Sequence, residues 1–341
     1  MLAREMKGGS LRQWTVTVAL ALTVGAPGWS VAQAPGGIVV FGTSLSDPGN
    51  AFALQGVNNT PPDYLQDIFM VPNAPYARGG HHLSNGATWI EQLARPLGLA
   101  GSVGPAFKQS GKATNYAVAG TRAWGDGINI SLEQQVDRFL YDLGDANVPA
   151  DWLFVVEIGS NDVRDALVAY LSGTPPPHSG DDILQGALTA IGIQLQRLYG
   201  AGATRFLIWS SVPNIGSTPA VRTLDYYSFI QGLSQQGQII QFATWLSYQF
   251  SVQLGDIVTQ VKTLPGVSVA PLDVFTAVNA LVAQPQDFGL TNVTMPCITP
   301  NIAPFTCQNP DEYLFWDGVH PTQATHAIFA QKATAALIQM P

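Results

Sequence analysis

Charge is what this 341-residue chain has least of. Only 11% of its residues are Asp, Glu, Lys or Arg, and 15 basic side chains face 23 acidic ones, for a formal net charge of −8. No cluster of Lys and Arg forms a basic patch, which excludes the electrostatic footprint of a nucleic-acid binder. The same sign disfavours an anionic membrane surface. Cysteine is almost missing: Cys297 and Cys307 are the only two. They are not spaced as C-x-x-C and no histidine flanks them, which argues against a metal pair or a redox couple. In an oxidising compartment such a pair is expected to close a disulfide. The G-x-S-x-G elbow of the α/β-hydrolases is absent. The apolar run at 14–26 is too short to span a bilayer comfortably and is cut by Gly25 and Pro27.

That short run has the flanks of a secretory signal. Arg4, Lys7 and Arg12 precede or open it, and Ser30-Val31-Ala32 and Ala32-Gln33-Ala34 follow as small-x-small cleavage sites. Residues 1–32 are therefore read as a signal peptide cleaved after Ala32 or Ala34. Ala32 is preferred, because the other cut leaves Pro35 beside the scissile bond. An uncleaved anchor is the alternative. Export places the protein outside the cytoplasm, secreted or periplasmic, in agreement with the expected disulfide.

The remaining chain is long enough to bury a core without staples. Short apolar runs at 37–41, 114–118, 152–158, 205–210 and 267–270 read as strands. Longer amphipathic stretches at 87–97, 131–143, 161–171, 181–199, 220–261 (one helix or two), 273–282 and 322–338 read as helices. Ser131 and Gln134 form a capping box, and Pro321 suits the first turn of the last helix. Two long loops remain, 54–83 and 285–316. The first reads as an ordered wall, with His81 and His82 as solvated or wall-forming side chains. Strand–helix alternation implies a three-layer α/β/α fold around a doubly wound, mainly parallel five-stranded sheet, in a single domain over 36–341.

Four chemically useful residues fall at strand ends or helix starts. Ser44 follows the first strand, Gly120 the second and Asn161 the third, and His320 precedes the last helix. Carboxyl ends of parallel strands share one edge, so these residues can meet there. Taken singly, Ser44 and Asn161 read equally as helix caps and Gly120 as a turn glycine. Asp47 reads as a turn or cap residue. Taken together they form a set. A serine hydroxyl needs a base to become a nucleophile. His320 is the natural one, with Asp317 three residues earlier to hold its tautomer. His326 is a rival base without an acid at comparable spacing. The N–H groups of Ser44 and Gly120 and the amide of Asn161 are candidate oxyanion donors.

Five blocks, in order, carry a family resemblance. They are Phe41-Gly42-Thr43-Ser44-Leu45-Ser46-Asp47, Ser84-Asn85-Gly86-Ala87-Thr88-Trp89, Asn115-Tyr116-Ala117-Val118-Ala119-Gly120, Gly159-Ser160-Asn161-Asp162 and Asp317-Gly318-Val319-His320-Pro321-Thr322. The chain resembles the GDSL-type SGNH hydrolases from about residue 38 to its C-terminus. The resemblance implies a flavodoxin-like fold and a serine esterase or lipase without metal or cofactor. It also implies Ser44 as nucleophile, Gly120 and Asn161 in the oxyanion hole, His320 as base and Asp317 as its orienter. Two positions depart from the pattern. Thr43 stands where the family usually has Asp, and Ala119 replaces the first glycine of a common pair. The expected substrate is an ester with an acyl chain or aromatic group, met in transient contact with a lipid surface. Carbohydrate acetyl ester hydrolysis and acyl transfer are the alternatives on the same scaffold, and a non-catalytic binding protein is the alternative of another class.

Overall fold

The first strand, β1 (Ile38–Gly42), is buried along its whole length, as expected for a central strand covered on both faces. It pairs in parallel with β2 (Leu153–Glu157), which pairs with β3 (Arg205–Trp209), which pairs with β4 (Ser268–Leu272). The sheet order is β1-β2-β3-β4. These contacts come from a computed structural model, which describes residues 34–55, 76–77, 81–109, 111–125, 127–298 and 306–340. The signal expected at 1–32 and most of the loop expected at 54–83 lie outside the described residues.

The helices among the described residues are α1 (Asn50–Gln55), α2 (Trp89–Ala94), α3 (Leu132–Leu143), α4 (Ser160–Ser172), α5 (Gly180–Gly200), α6 (Pro219–Ile230), α7 (Gln238–Lys262), α8 (Val274–Ala283) and α9 (Gln323–Ile338). Alternate residues of each strand face opposite sides. Val39, Phe41, Phe154, Val156, Phe206 and Ile208 pack in one cluster with α3, α4, α5 and α7. On the other side the Trp209 ring meets Trp89 of α2 and Phe329 of α9, at 5.4 and 5.7 Å between centroids. Three layers result, α/β/α. Ala34–Pro341 forms one compact unit.

The expected second strand, 114–118, is the point at which the sheet differs from the five strands read in the sequence. The segment lies along the free edge of β1 and makes three ladder bonds: Val40 N–H to Thr114 O (2.9 Å), Tyr116 N–H to Val40 O (2.7 Å) and Val118 N–H to Gly42 O (3.1 Å). It occupies the fifth place without being a regular strand. Its other side is tied by a side chain: Asn50 Nδ2 donates to the carbonyls of Asn115 and Ala117. With this segment included, the order along the sheet is that of a flavodoxin-like fold.

Other elements follow their caps. Ser131 and Gln134 close the capping box of α3, and Asp273 caps α8. The stretch read as one or two helices over 220–261 breaks into α6 and α7, joined by a turn holding Gly232 and Gly237. Thr322 caps α9. Pro321 therefore sits just ahead of the cap and not inside the first turn, where it bridges to Phe315. The loop expected at 285–316 contains a small parallel pair, β5 (Asn292–Pro296) and β6 (Tyr313–Phe315). Cys297 and Cys307 form a disulfide beside it, packed with Ile298, Trp316, Tyr313 and Tyr76.

Candidate active site

Ser44 sits two residues past the end of β1, where the strand turns toward α1. The turn is built by polar side chains. Asp47 accepts backbone N–H bonds from Gly49 (2.7 Å), Asn50 (2.6 Å) and Ala51 (3.0 Å), and also from Ala119 (2.8 Å). The last of these crosses to the segment that carries Gly120. Asn115 Nδ2 reaches back to the Ser46 carbonyl at 2.8 Å. With the two Asn50 bonds, the Ser44 turn and the Gly120 segment are stitched into one piece. Asp47 is more than the turn residue expected. Burial pushes its carboxyl up, while the backbone donors oppose that shift.

A line of hydrogen bonds runs from Ser44. Its Oγ lies 2.9 Å from His320 Nε2. His320 Nδ1 lies 2.7 Å from Asp317 Oδ2. Asp317 Oδ1 accepts from the backbone N–H groups of Val319 and His320, and Oδ2 also accepts from the Tyr76 hydroxyl at 2.6 Å. The carboxyl is fully buried. This geometry suits an imidazole that takes a proton from Ser44 and is steadied as a cation by Asp317. His326 is placed otherwise. Its Nδ1 accepts from Trp89 N–H at 3.2 Å, and burial pushes its pKa down to about 3, so it is neutral and structural.

Gly120 and Asn161 line the same cleft as Ser44 and His320, walled by Leu45, Leu83, Pro213, Ile215, Val221 and Val319. Gly120 has φ +84°, a left-handed conformation that favours glycine. Asn161 stands in the first turn of α4, and its amide donates to the Thr121 carbonyl at 2.8 Å. An Asn amide has two N–H donors, so the second is left to point elsewhere. Gly159, which precedes α4, has φ +109°, and a Cβ there would lie 2.6 Å from the Phe250 ring. Only glycine lets the helix start this close to α7. Asp162 does not cap α4 with its side chain. It accepts from Ala123 and Trp124 N–H and so anchors the far end of the Gly120 segment. Burial pushes its pKa up to about 7.

A family model for the GDSL-like lipase/acylhydrolases matches residues 38–333. The chain belongs to that family. Among its relatives, the GDSL esterase/lipase At2g23540 of Arabidopsis thaliana is 27% identical over 334 residues, covering 87% of this chain and 83% of that one. GDSL esterase/lipase 7 of the same plant is 25% identical over 325 residues, covering 85% of each. A solved structure of a GDSL-like lipase from Parabacteroides merdae aligns with a TM-score of 0.41 and 11% identity, over 88% of this chain and 95% of that one. The GDSL-family chain is thus a carboxylic ester hydrolase.

The family's Ser-Asn-Gly-x-x-Trp block acts here as a clamp between the ends of the domain. Ser84 Oγ donates to the Pro321 carbonyl (2.9 Å), and Asn85 Oδ1 accepts from Gln323 N–H (2.7 Å). Trp89 Nε1 donates to Ser46 Oγ (2.9 Å). The block thus holds the start of α9, and with it His320, against the Ser44 turn. Of the two expectations for His82, solvated or wall-forming, the solvated one fails. The side chain is fully buried, with Nε2 2.6 Å from Glu91. His81 stacks on Phe52.

Besides Tyr76, two residues of this GDSL-family site escape sequence reasoning. Glu157, the last residue of β2, is buried beneath the Ser44 turn. Its carboxyl accepts from Thr43 N–H (3.0 Å), Thr43 Oγ1 (2.9 Å) and Ser46 Oγ (3.0 Å). Desolvation pushes its pKa up to about 7. A lone acid inside an otherwise apolar strand was the available signal. Gln135 of α3 bonds both the N–H and the C=O of Gly42, at 2.9 and 2.8 Å. Thr43 is thereby explained locally. Its hydroxyl feeds a carboxyl that comes from the neighbouring strand, where the family's usual Asp would bring a carboxyl of its own.

Proposed function

We propose that the protein is an exported serine ester hydrolase that works through an acyl-enzyme, with Ser44, His320 and Asp317 as its triad. The observation supporting this most is the unbroken hydrogen-bonded line from Ser44 Oγ through His320 to Asp317, opening on an apolar cleft. Ser44 Oγ attacks the ester carbonyl carbon as its proton passes to His320 Nε2. The carbonyl π pair moves onto oxygen, where the N–H groups of Ser44 and Gly120 and the Asn161 amide serve as donors. As the tetrahedral adduct collapses, the bond to the alcohol oxygen breaks and His320 delivers the proton to it. Water then gives its proton to His320, attacks the acyl carbon and releases the acid, returning the proton to Ser44. No metal or cofactor enters this sequence.

The apolar walls of the cleft favour an acyl-chain or aromatic ester. Export follows from the signal read at 1–32 and suits the disulfide. Catalysis belongs to one domain over 36–341. Among the described residues no helix is long and apolar enough to cross a membrane. The deciding experiment is covalent labelling with a fluorophosphonate, followed by a chain-length series of p-nitrophenyl esters. The expected result is label on Ser44 and none on Ser44→Ala. Absence of label, or label unchanged in Ser44→Ala, refutes the triad.

A further inference from the structure

From Tyr226 to Gly255 the chain carries no acidic, basic or histidine residue. Half of the exposed large apolar side chains among the described residues lie within this one stretch. Five of them, Tyr226, Tyr227, Phe229, Ile230 and Leu233, fall within eight consecutive residues, at the end of α6 and the turn that follows. Leu233 is 75% exposed. Trp245, Tyr248 and Val252 add an exposed stripe along α7 at helical spacing. Scattered exposed apolar residues are ordinary, but a cluster this dense marks a contact surface.

The hairpin is held in shape. Asp225, buried midway along α6, accepts from Gly237 N–H (2.8 Å) and Ile239 N–H (2.9 Å), which fixes the turn and caps α7. The base of α6 belongs to the candidate active site: Val221 lines the cleft, and Ala220 N–H donates to the Gly318 carbonyl, between Asp317 and His320, at 2.9 Å. α6 is thus a direct link, on the order of 18 Å long at 1.5 Å per residue, from the cleft to the apolar tip.

We propose that this tip docks the enzyme on an uncharged lipid surface, a zwitterionic phosphatidylcholine interface. The charge pattern selects that occupant. The segment has no cation to seek anionic headgroups and no ionised side chain to desolvate on entering the headgroup layer. Its tyrosines and tryptophan have the apolar body and polar edge that settle at a membrane–water boundary. Leu233, the most exposed of the eight, lies in the turn between α6 and α7. This surface is distinct from the cleft, and its test requires no turnover.

Flotation of the full chain with vesicles of pure phosphatidylcholine, at low and high salt, tests it. Ser44→Ala serves in parallel, so that loss of the catalytic reading leaves the result intact. The expected outcome is salt-insensitive flotation, weakened on the order of a hundredfold in Tyr226→Ser/Phe229→Ser/Leu233→Ser, with hydrolysis of a soluble short-chain ester unchanged. Equal flotation of the triple variant overturns the proposal. So does binding confined to anionic vesicles and reversed by salt. Sedimentation of a dimer that the triple variant dissociates, without vesicle binding by either, assigns the face to a second copy of the chain and overturns it as well.

Discussion

Replacing Glu157 with Gln should change how stability depends on pH. In the folded protein the Glu157 carboxyl is 1% exposed and, among the described residues, takes its hydrogen bonds from Thr43 and Ser46. Desolvation outweighs those bonds and raises its pKa from an ordinary 4.5 to about 7. The sign follows from linkage. The folded state keeps a proton that the unfolded chain has already released, so the contribution is full below pH 4.5 and is lost as pH rises through 7. The span between the two values corresponds to about 3 kcal/mol. Gln cannot ionise and keeps nearly the same volume. Urea unfolding followed by tryptophan fluorescence, at steps from pH 4 to pH 8, gives the stability of both proteins. The difference between them should move by about 3 kcal/mol in favour of the variant toward pH 8. Asp162, raised to about 7, and His326, lowered to about 3, titrate in both proteins and drop out of the difference. A difference constant within about 0.5 kcal/mol over this range, the usual error of comparing such variants, refutes the argument that the carboxyl beneath the nucleophile turn resists ionisation.

Thr43→Asp, which restores the family's usual residue, places a second carboxyl against Glu157. One of the two must stay protonated, so unfolding curves at pH 7.5 should show a loss of about 1–3 kcal/mol, recovered when Glu157→Gln is added. If Asn161 fills the proposed oxyanion role, Asn161→Ala should lower kcat by about two to three orders of magnitude. The lost bond to the Thr121 carbonyl should cost only about 1 kcal/mol of stability, so steady-state kinetics and a melting curve of the same variant separate the two roles.

The sheet and most helices were legible because their signals are local. β1 to β4 are runs of buried apolar residues, and α3, α8 and α9 announce themselves by Ser131, Asp273 and Thr322. The 114–118 segment was legible as extended chain but not as an irregular edge. Its outer carbonyls are taken by Asn50, a partner some 65 residues away, which no window of sequence reveals. β5 and β6 were hidden in a stretch rich in Pro and Asn, where a disulfide and a few aromatic rings replace a long apolar run. That Ser44, Gly120, Asn161, Asp317 and His320 come together was readable because they sit in ordered motifs. Glu157, Gln135 and Tyr76 were not, because each acts through a distant contact: on Thr43, on Gly42 and on Asp317. His82 is a loop residue, as read, but its burial and its bond to Glu91, nine positions away, have no local signal.

Ser44 and His320 are 276 positions apart, and the bonds of Ser84, Asn85 and Trp89 are what draw the two ends of the domain together. On the proposed triad, a nascent chain that already carries Ser44 has no base until the segment from Asp317 to His320 has been added and α9 closes against α2. On the same reading, a product cut short before Asp317 carries the serine without its base. On that reading, an ester hydrolase encoded in this order stays silent until the late segment that carries His320 joins the fold.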